Sequence, residues 1–196
     1  QIYRPLVVWG ARLPTQSYCT VGTDNVGGAM AAVEHLLGLG RKRILFVGDP
    51  AMPEIGLRHA GYCLAYERAP RLRPLPQLVP AQLTAESAYQ AMRDFIGSGE
   101  AFDAVFGATD VIAMSVLRAL TASGLAVPRD VAVVGFDDIA LAAHARPPLT
   151  TVRQDLQRGA HTLVELLFRR LAGEDAPSAI LPGELVVRES SGQTVG

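Results

Sequence analysis

The sequence predicts an α/β protein built on doubly wound parallel sheets, and two observations carry that prediction. Short continuous apolar runs, such as Ile44 to Val47 and Val131 to Phe136, lack the alternation of a half-exposed strand. They suit strands buried on both faces, as in a parallel sheet covered by helices. These runs alternate with stretches of helical periodicity, the pattern of βαβ units whose crossovers return each strand parallel to the last.

Taken in order, Leu6 to Trp9 is a short buried strand after Pro5, and Ser17 to Val21 is extended. Thr23-Asp24-Asn25 starts a helix, because Asp24 can accept hydrogen bonds from first-turn amides that have no partner within the helix. Val26, Met30, Val33 and Leu37 keep helical spacing until Gly40 stops it. Ile44 to Val47 is the next strand, followed by a helix from about Pro53 to Arg68. Pro70, Pro74, Pro76 and Pro80 then mark a Pro-rich stretch with an extended segment near Gln77 to Val79.

Thr84 to Ile96 is helical and ends at Gly97-Ser98-Gly99. Asp103 to Gly107 is a strand, Asp110 is placed to cap the helix Val111 to Ser123, and Gly124 closes that helix. Val131 to Phe136 runs between the turn signals Pro128-Arg129-Asp130 and Asp137-Asp138. After Pro147-Pro148 the chain is extended again from Thr150 to Gln154. Leu156, Ala160, Leu163, Leu167 and Leu171 form the apolar face of a final helix ended by Gly173, and Glu184 to Arg188 is a last short strand.

A chain of 196 residues allows one sizeable domain or two small lobes. With 49% hydrophobic and 19% charged residues it has material for a core and too little charge for disorder. A net charge of -1 gives no global electrostatic case for binding nucleic acid. Cys19 and Cys63 are too few for a disulfide scaffold or a metal site, which points to reduced thiols in the cytoplasm. No apolar run reaches membrane-spanning length. The chain opens at Gln1 without Met and enters a strand almost at once, so an amino-terminal portion is expected to be missing.

In open α/β sheets ligands bind beyond the carboxyl ends of the strands. Collected there are Trp9 and Arg12, then Asp49, Glu54 and Arg58, then Thr109 and Asp110, and finally Asp137 and Asp138. Carboxylates and guanidiniums that make paired hydrogen bonds suit vicinal hydroxyls or a heterocycle edge, and a Trp face suits a sugar or an aromatic ring. Plainer roles compete. Asp110 and Asp24 read as helix caps, Asp138 as cap of the turn Ile139 to Ala143, Arg58 as a solvent-facing helix residue, and Trp9 as core. Catalysis gets little support: His35, His59, His144 and His161 have no metal-ligand spacing. Nucleophile-elbow, Walker and dinucleotide-binding motifs are also missing, so the chain reads as a non-enzyme without cofactor.

Three segments resemble the effector-binding core of the LacI/GalR family of bacterial transcriptional regulators. They are TDNVGGAMAAVEHLLGLGRKRILFVGDP with the RHAGY around Arg58, then FGATDVIAMSVLRALTASGLAVPRDVAVVGFDD, then RPPLTTVRQDLQRGAHTLVELLFRRLAGE. The resemblance implies a periplasmic-binding-protein-like fold of type I with two lobes, one incomplete. Residues 1–22 with 154–182 would be the remnant of the amino-terminal lobe, and 23–153 with 183–196 the carboxyl-terminal lobe. It implies Arg58 and Asp137 as principal effector contacts, Thr109, Gln154 and Glu54 as selectors, and Trp9 on the other lobe's side of the cleft. It also implies a homodimer formed through the helix around Met114 to Ala122 and through Leu141 to Arg146. Operator DNA would be bound only by an absent helix-turn-helix domain, with no membrane involved. The expected function is control of that domain by a small molecule, a sugar or sugar derivative. A solute-binding protein of a sugar transporter, which shares the fold, is the alternative.

Overall fold

The computed structural model describes residues 5–13, 16–69 and 76–192. The prolines at 70 and 74 fall outside that range. The strands are β1 (Val7–Trp9), β2 (Cys19–Thr23), β3 (Ile44–Gly48), β4 (Gln77–Pro80), β5 (Ala104–Gly107), β6 (Ala132–Asp137), β7 (Thr150–Arg153), β8 (Ala179–Leu181) and β9 (Glu184–Val186). The α-helices are α1 (Asn25–Gly38), α2 (Pro53–Glu67), α3 (Ala85–Ser98), α4 (Asp110–Ala122) and α5 (Leu156–Leu171). The chain divides into two compact units, residues 1–24 with 154–183 and residues 25–153 with 184–196.

The smaller unit is a parallel three-stranded sheet, β1-β2-β8, packed on α5. Cys19, Val21, Leu166, Ala176 and Leu181 form its core. The ring of Trp9 lies on α5 at Gly159, where any Cβ would collide with it. Much of α5 stays uncovered, with Val164, Phe168 and Leu171 exposed.

The larger unit holds a six-stranded sheet in the order β4-β3-β5-β6-β7-β9. Its inner strands β3, β5 and β6 are apolar and buried on both faces, as continuous hydrophobic runs require: every residue of β3 and β5 is buried, and all of β6 but Asp137. Helices α1 and α2 pack together, as do α3 and α4. At Gly61 a Cβ would strike the Val26 carbonyl oxygen, so glycine sets how closely α1 and α2 approach. The chain passes from β3 outward to β4 and then back to β5 on the other side of β3. Strand order therefore reverses at β3/β5, and the crevice of a doubly wound sheet opens at such a reversal.

Three details differ from the sequence expectations. The last strand, β9, pairs antiparallel with β7 and ends at Val186, so one edge of the sheet is mixed. Strand β8 was not anticipated, since three residues of Ala-Ile-Leu carry no periodicity. The cap of α4 is Thr109, whose hydroxyl accepts from the Ile112 amide at 3.3 Å, and Asp110 is already helical. The plain reading of Asp110 as a cap is thereby overturned.

Candidate functional site

The site is assembled where β3, β5 and β6 end. Pro53 at the start of α2 suits the first turn of a helix, where its missing N–H costs nothing. Arg58 follows on the second turn of α2 and is buried, 4% exposed. That burial overturns its reading as a solvent-facing residue. Each of its three guanidinium nitrogens is engaged. Nε donates to Asn25 Oδ1 at 2.8 Å, Nη1 to the Ala108 carbonyl at 2.7 Å, and Nη2 lies 3.1 Å from Asp137 Oδ1. The guanidinium also stacks over the Phe136 ring, 3.8 Å from its centroid. Burial pushes the Arg58 pKa down, opposed by Asp137, Glu54 and Asp110.

Asp137 ends β6 with φ of 117°, and Asp138 follows at 53°. Non-glycine residues rarely adopt such backbone, and it persists only where the surroundings hold it. In a regular strand Phe136 and Asp137 would face opposite sides. The left-handed turn breaks that alternation, which is how both meet Arg58.

The turn is tied down behind the pair. Asp138 Oδ1 accepts from Arg188 and Oδ2 from Arg153, each at 2.7 Å. Burial pushes the Asp138 carboxyl up, but its hydrogen bonds from Arg188 and Arg153 outweigh that and hold it below the usual carboxylate range. Asp138 is therefore an ion-pair hub rather than the cap of the following turn, whose cap has no side-chain hydrogen bond. Asp110, fully buried, accepts from the Ile139 amide at 2.8 Å and the Thr151 hydroxyl at 2.5 Å. Burial pushes its pKa up to about 6, the hydrogen bonds notwithstanding.

Of the residues singled out from sequence, the structure brings Arg58 and Asp137 into contact across 79 positions of chain. Glu54 lies one turn before Arg58 on α2, half-buried, and Thr109 follows the carbonyl that Arg58 binds. Gln154 and Trp9 belong to the smaller unit. There Gln154 Oε1 accepts from the Thr23 hydroxyl at 2.8 Å, and Trp9 packs beside Gly159. Sequence reasoning missed Asn25, which read only as part of a helix start, and Phe136, which read only as core. An Asn directly after the Asp expected to cap α1 is the one local hint at the first.

Among the described residues no cluster of His, Cys, Asp or Glu is arranged to hold a metal ion. No described helix is long and apolar enough to cross a membrane.

The geometry has clear precedents. Residues 33–191 match the family described as periplasmic binding protein-like domain. The HTH-type transcriptional regulator CelR of Thermobifida fusca is 35% identical over 93% of this chain and 56% of its own length. The structure described as a transcriptional regulator CelR–cellobiose complex superposes with a TM-score of 0.85 at 36% identity, over 94% of this chain and 58% of the other. A LacI family transcriptional regulator from Enterococcus faecium with bound ribose gives a TM-score of 0.87 at 26% identity, over 95% and 70%. The chain spans about half the length of the curated relatives it matches. On these matches, the chain belongs to the LacI/GalR family of transcriptional regulators and carries that family's periplasmic binding protein-like domain.

Proposed function

We propose that this chain is the ligand-sensing part of a cytoplasmic LacI-type regulator, binding a sugar or sugar derivative to control operator binding by a helix-turn-helix domain elsewhere in the protein. It acts by binding and not by turnover. The observation that carries this reading is the Arg58–Asp137 pair, set at 3.1 Å on the left-handed turn that ends β6, the strand next to the β3/β5 reversal. Arg58 and Asp137 are the principal effector contacts, with Thr109 and Glu54 beside them. Gln154 and Trp9 join them on the family resemblance alone. Residues 1–22 with 154–182 serve as the partial amino-terminal lobe, and 23–153 with 183–196 as the carboxyl-terminal lobe.

Relatives bound to cellobiose and ribose support a sugar as effector. A ligand that favours one lobe arrangement shifts the regulator by its differential affinity, typically about 1–3 kcal/mol of coupling. The protein works as a homodimer. A groove on the larger unit lined by Met114, Leu117, Arg118, Thr121, Ala122, Ala145 and Arg146 supports pairing through α4 and the segment after the 3-10 turn at Ala140–His144.

The test is a thermal-shift and calorimetric screen opened with cellobiose and ribose, because a ligand that binds only the native state raises the melting temperature. A sugar that binds the wild-type chain should lose most of its affinity with Arg58→Ala and with Asp137→Ala. Unchanged affinity in both variants would sink the site assignment.

A further inference from the structure

We infer that Asn25 is a positioning residue for the effector pair: its amide oxygen sets the plane of the Arg58 guanidinium, so that Arg58 already faces Asp137 when a ligand arrives. This rests on the reading of Arg58 and Asp137 as the effector site and adds to it a residue from another helix. A planar guanidinium is fixed by anchors at two of its nitrogens and a surface against one face. Nε donates to Asn25 Oδ1 at 2.8 Å, Nη1 donates to the Ala108 carbonyl at 2.7 Å, and the Phe136 ring centroid lies 3.8 Å away. Once those three are set, the direction of Nη2 follows. It lies 3.1 Å from Asp137, the longest of the three polar contacts, so the socket dictates the pair.

The contact follows from how α1 and α2 pack. Gly61 lies one turn after Arg58 on α2, and a Cβ there would strike the carbonyl oxygen of Val26, the neighbour of Asn25. That close approach puts the start of α1 against the guanidinium. Asn25 and Arg58 are each buried, so little water reaches the Nε–H to replace a lost amide oxygen. The charge of the acceptor matters as much as its place. Asn25 and the Ala108 carbonyl are uncharged, so they hold the guanidinium without competing with Asp137 for its charge. A carboxylate at position 25 would form a charge-assisted bond to Nε and draw Arg58 off Asp137. A pair set in advance also spares the ligand the cost of ordering a long side chain.

The experiment follows the Arg58 Nε proton by nitrogen–proton correlation spectroscopy on the full chain and needs no ligand. A hydrogen bond to a charged group corresponds to roughly tenfold to a hundredfold in an equilibrium constant. Exchange of that proton with solvent should rise by this factor in Asn25→Leu. The backbone amides of residues 137–139 should shift, while those of β3 stay as protected as in wild type. Asn25→Asp keeps an acceptor, so it should restore the protection of the Nε proton and still shift the 137–139 amides. Wild-type exchange of the Nε proton in Asn25→Leu, or unmoved 137–139 amides, would overturn the inference. Should Asn25→Leu fail to fold or loosen β3, Asn25→Asp decides: unmoved 137–139 amides or a fast-exchanging Nε proton there would overturn it. With cellobiose and ribose as probes, a sugar that binds wild type should bind Asn25→Leu roughly tenfold or more weakly. Unchanged sugar affinity beside faster Nε exchange would leave the positioning in place and refute the effector-site reading.

Discussion

Asp137 carries two opposing energies that substitution can separate. Replacing it with Ala leaves the Arg58 guanidinium, 4% exposed, without its carboxylate. Breaking a fully buried pair costs about 3–5 kcal/mol; because 24% of the Asp137 side chain reaches solvent, we expect about 2–4 kcal/mol here. Asp137→Gly loses the same pair but relieves a φ of 117°, strain worth about 1–3 kcal/mol. Glycine's greater freedom in the unfolded chain returns about 0.5–1 kcal/mol of that gain. Asp137→Gly should therefore be more stable than Asp137→Ala by about 0.5–2 kcal/mol, with both below wild type. Urea unfolding followed by far-ultraviolet circular dichroism at pH 7 measures the order. An Ala variant within about 1 kcal/mol of wild type would refute the buried-pair reasoning. A Gly variant less stable than the Ala one would refute the strain.

Two further outcomes are expected. Asp110 has its pKa raised from 3.8 to about 6 by burial, so the folded state holds the proton more tightly than the unfolded chain. Its contribution to stability is greatest below the unfolded value and is lost as pH rises to about 6, by about 3 kcal/mol in all. Asp110→Asn keeps an acceptor for the Ile139 amide and offers a donor to Thr151, so urea midpoints at acid and neutral pH should differ less than in wild type. An identical pH dependence in both proteins would show that Asp110 does not set it. Gly159→Ala drives a methyl group into the ring of Trp9, the sole tryptophan, and should cost about 1–3 kcal/mol in the smaller unit. Unchanged tryptophan emission would place the ring elsewhere.

Much of the fold was legible because its causes are local. Ile44–Val47 and Val131–Phe136 read as buried strands from their continuous apolar runs, and Thr84, Gly99, Gly124 and Gly173 punctuate helices by chemistry confined to a few residues. The expectation of a crevice beyond the carboxyl ends of the strands, with Arg58 and Asp137 as its leading residues, came from strand direction and from family resemblance.

What the sequence determined by itself is the class of each long element and the identity of the polar residues that strand ends deliver. Only the tertiary structure decided which of those residues are partners. Asp110, Asp137 and Asp138 look alike in the chain, yet one is a buried acceptor near neutrality, one pairs with Arg58, and one joins Arg153 to Arg188. Their roles are set by groups brought close from distant positions, and by a backbone turn that only those groups hold in place. Charge pairing and desolvation act through space, so separation along the chain carries no record of them.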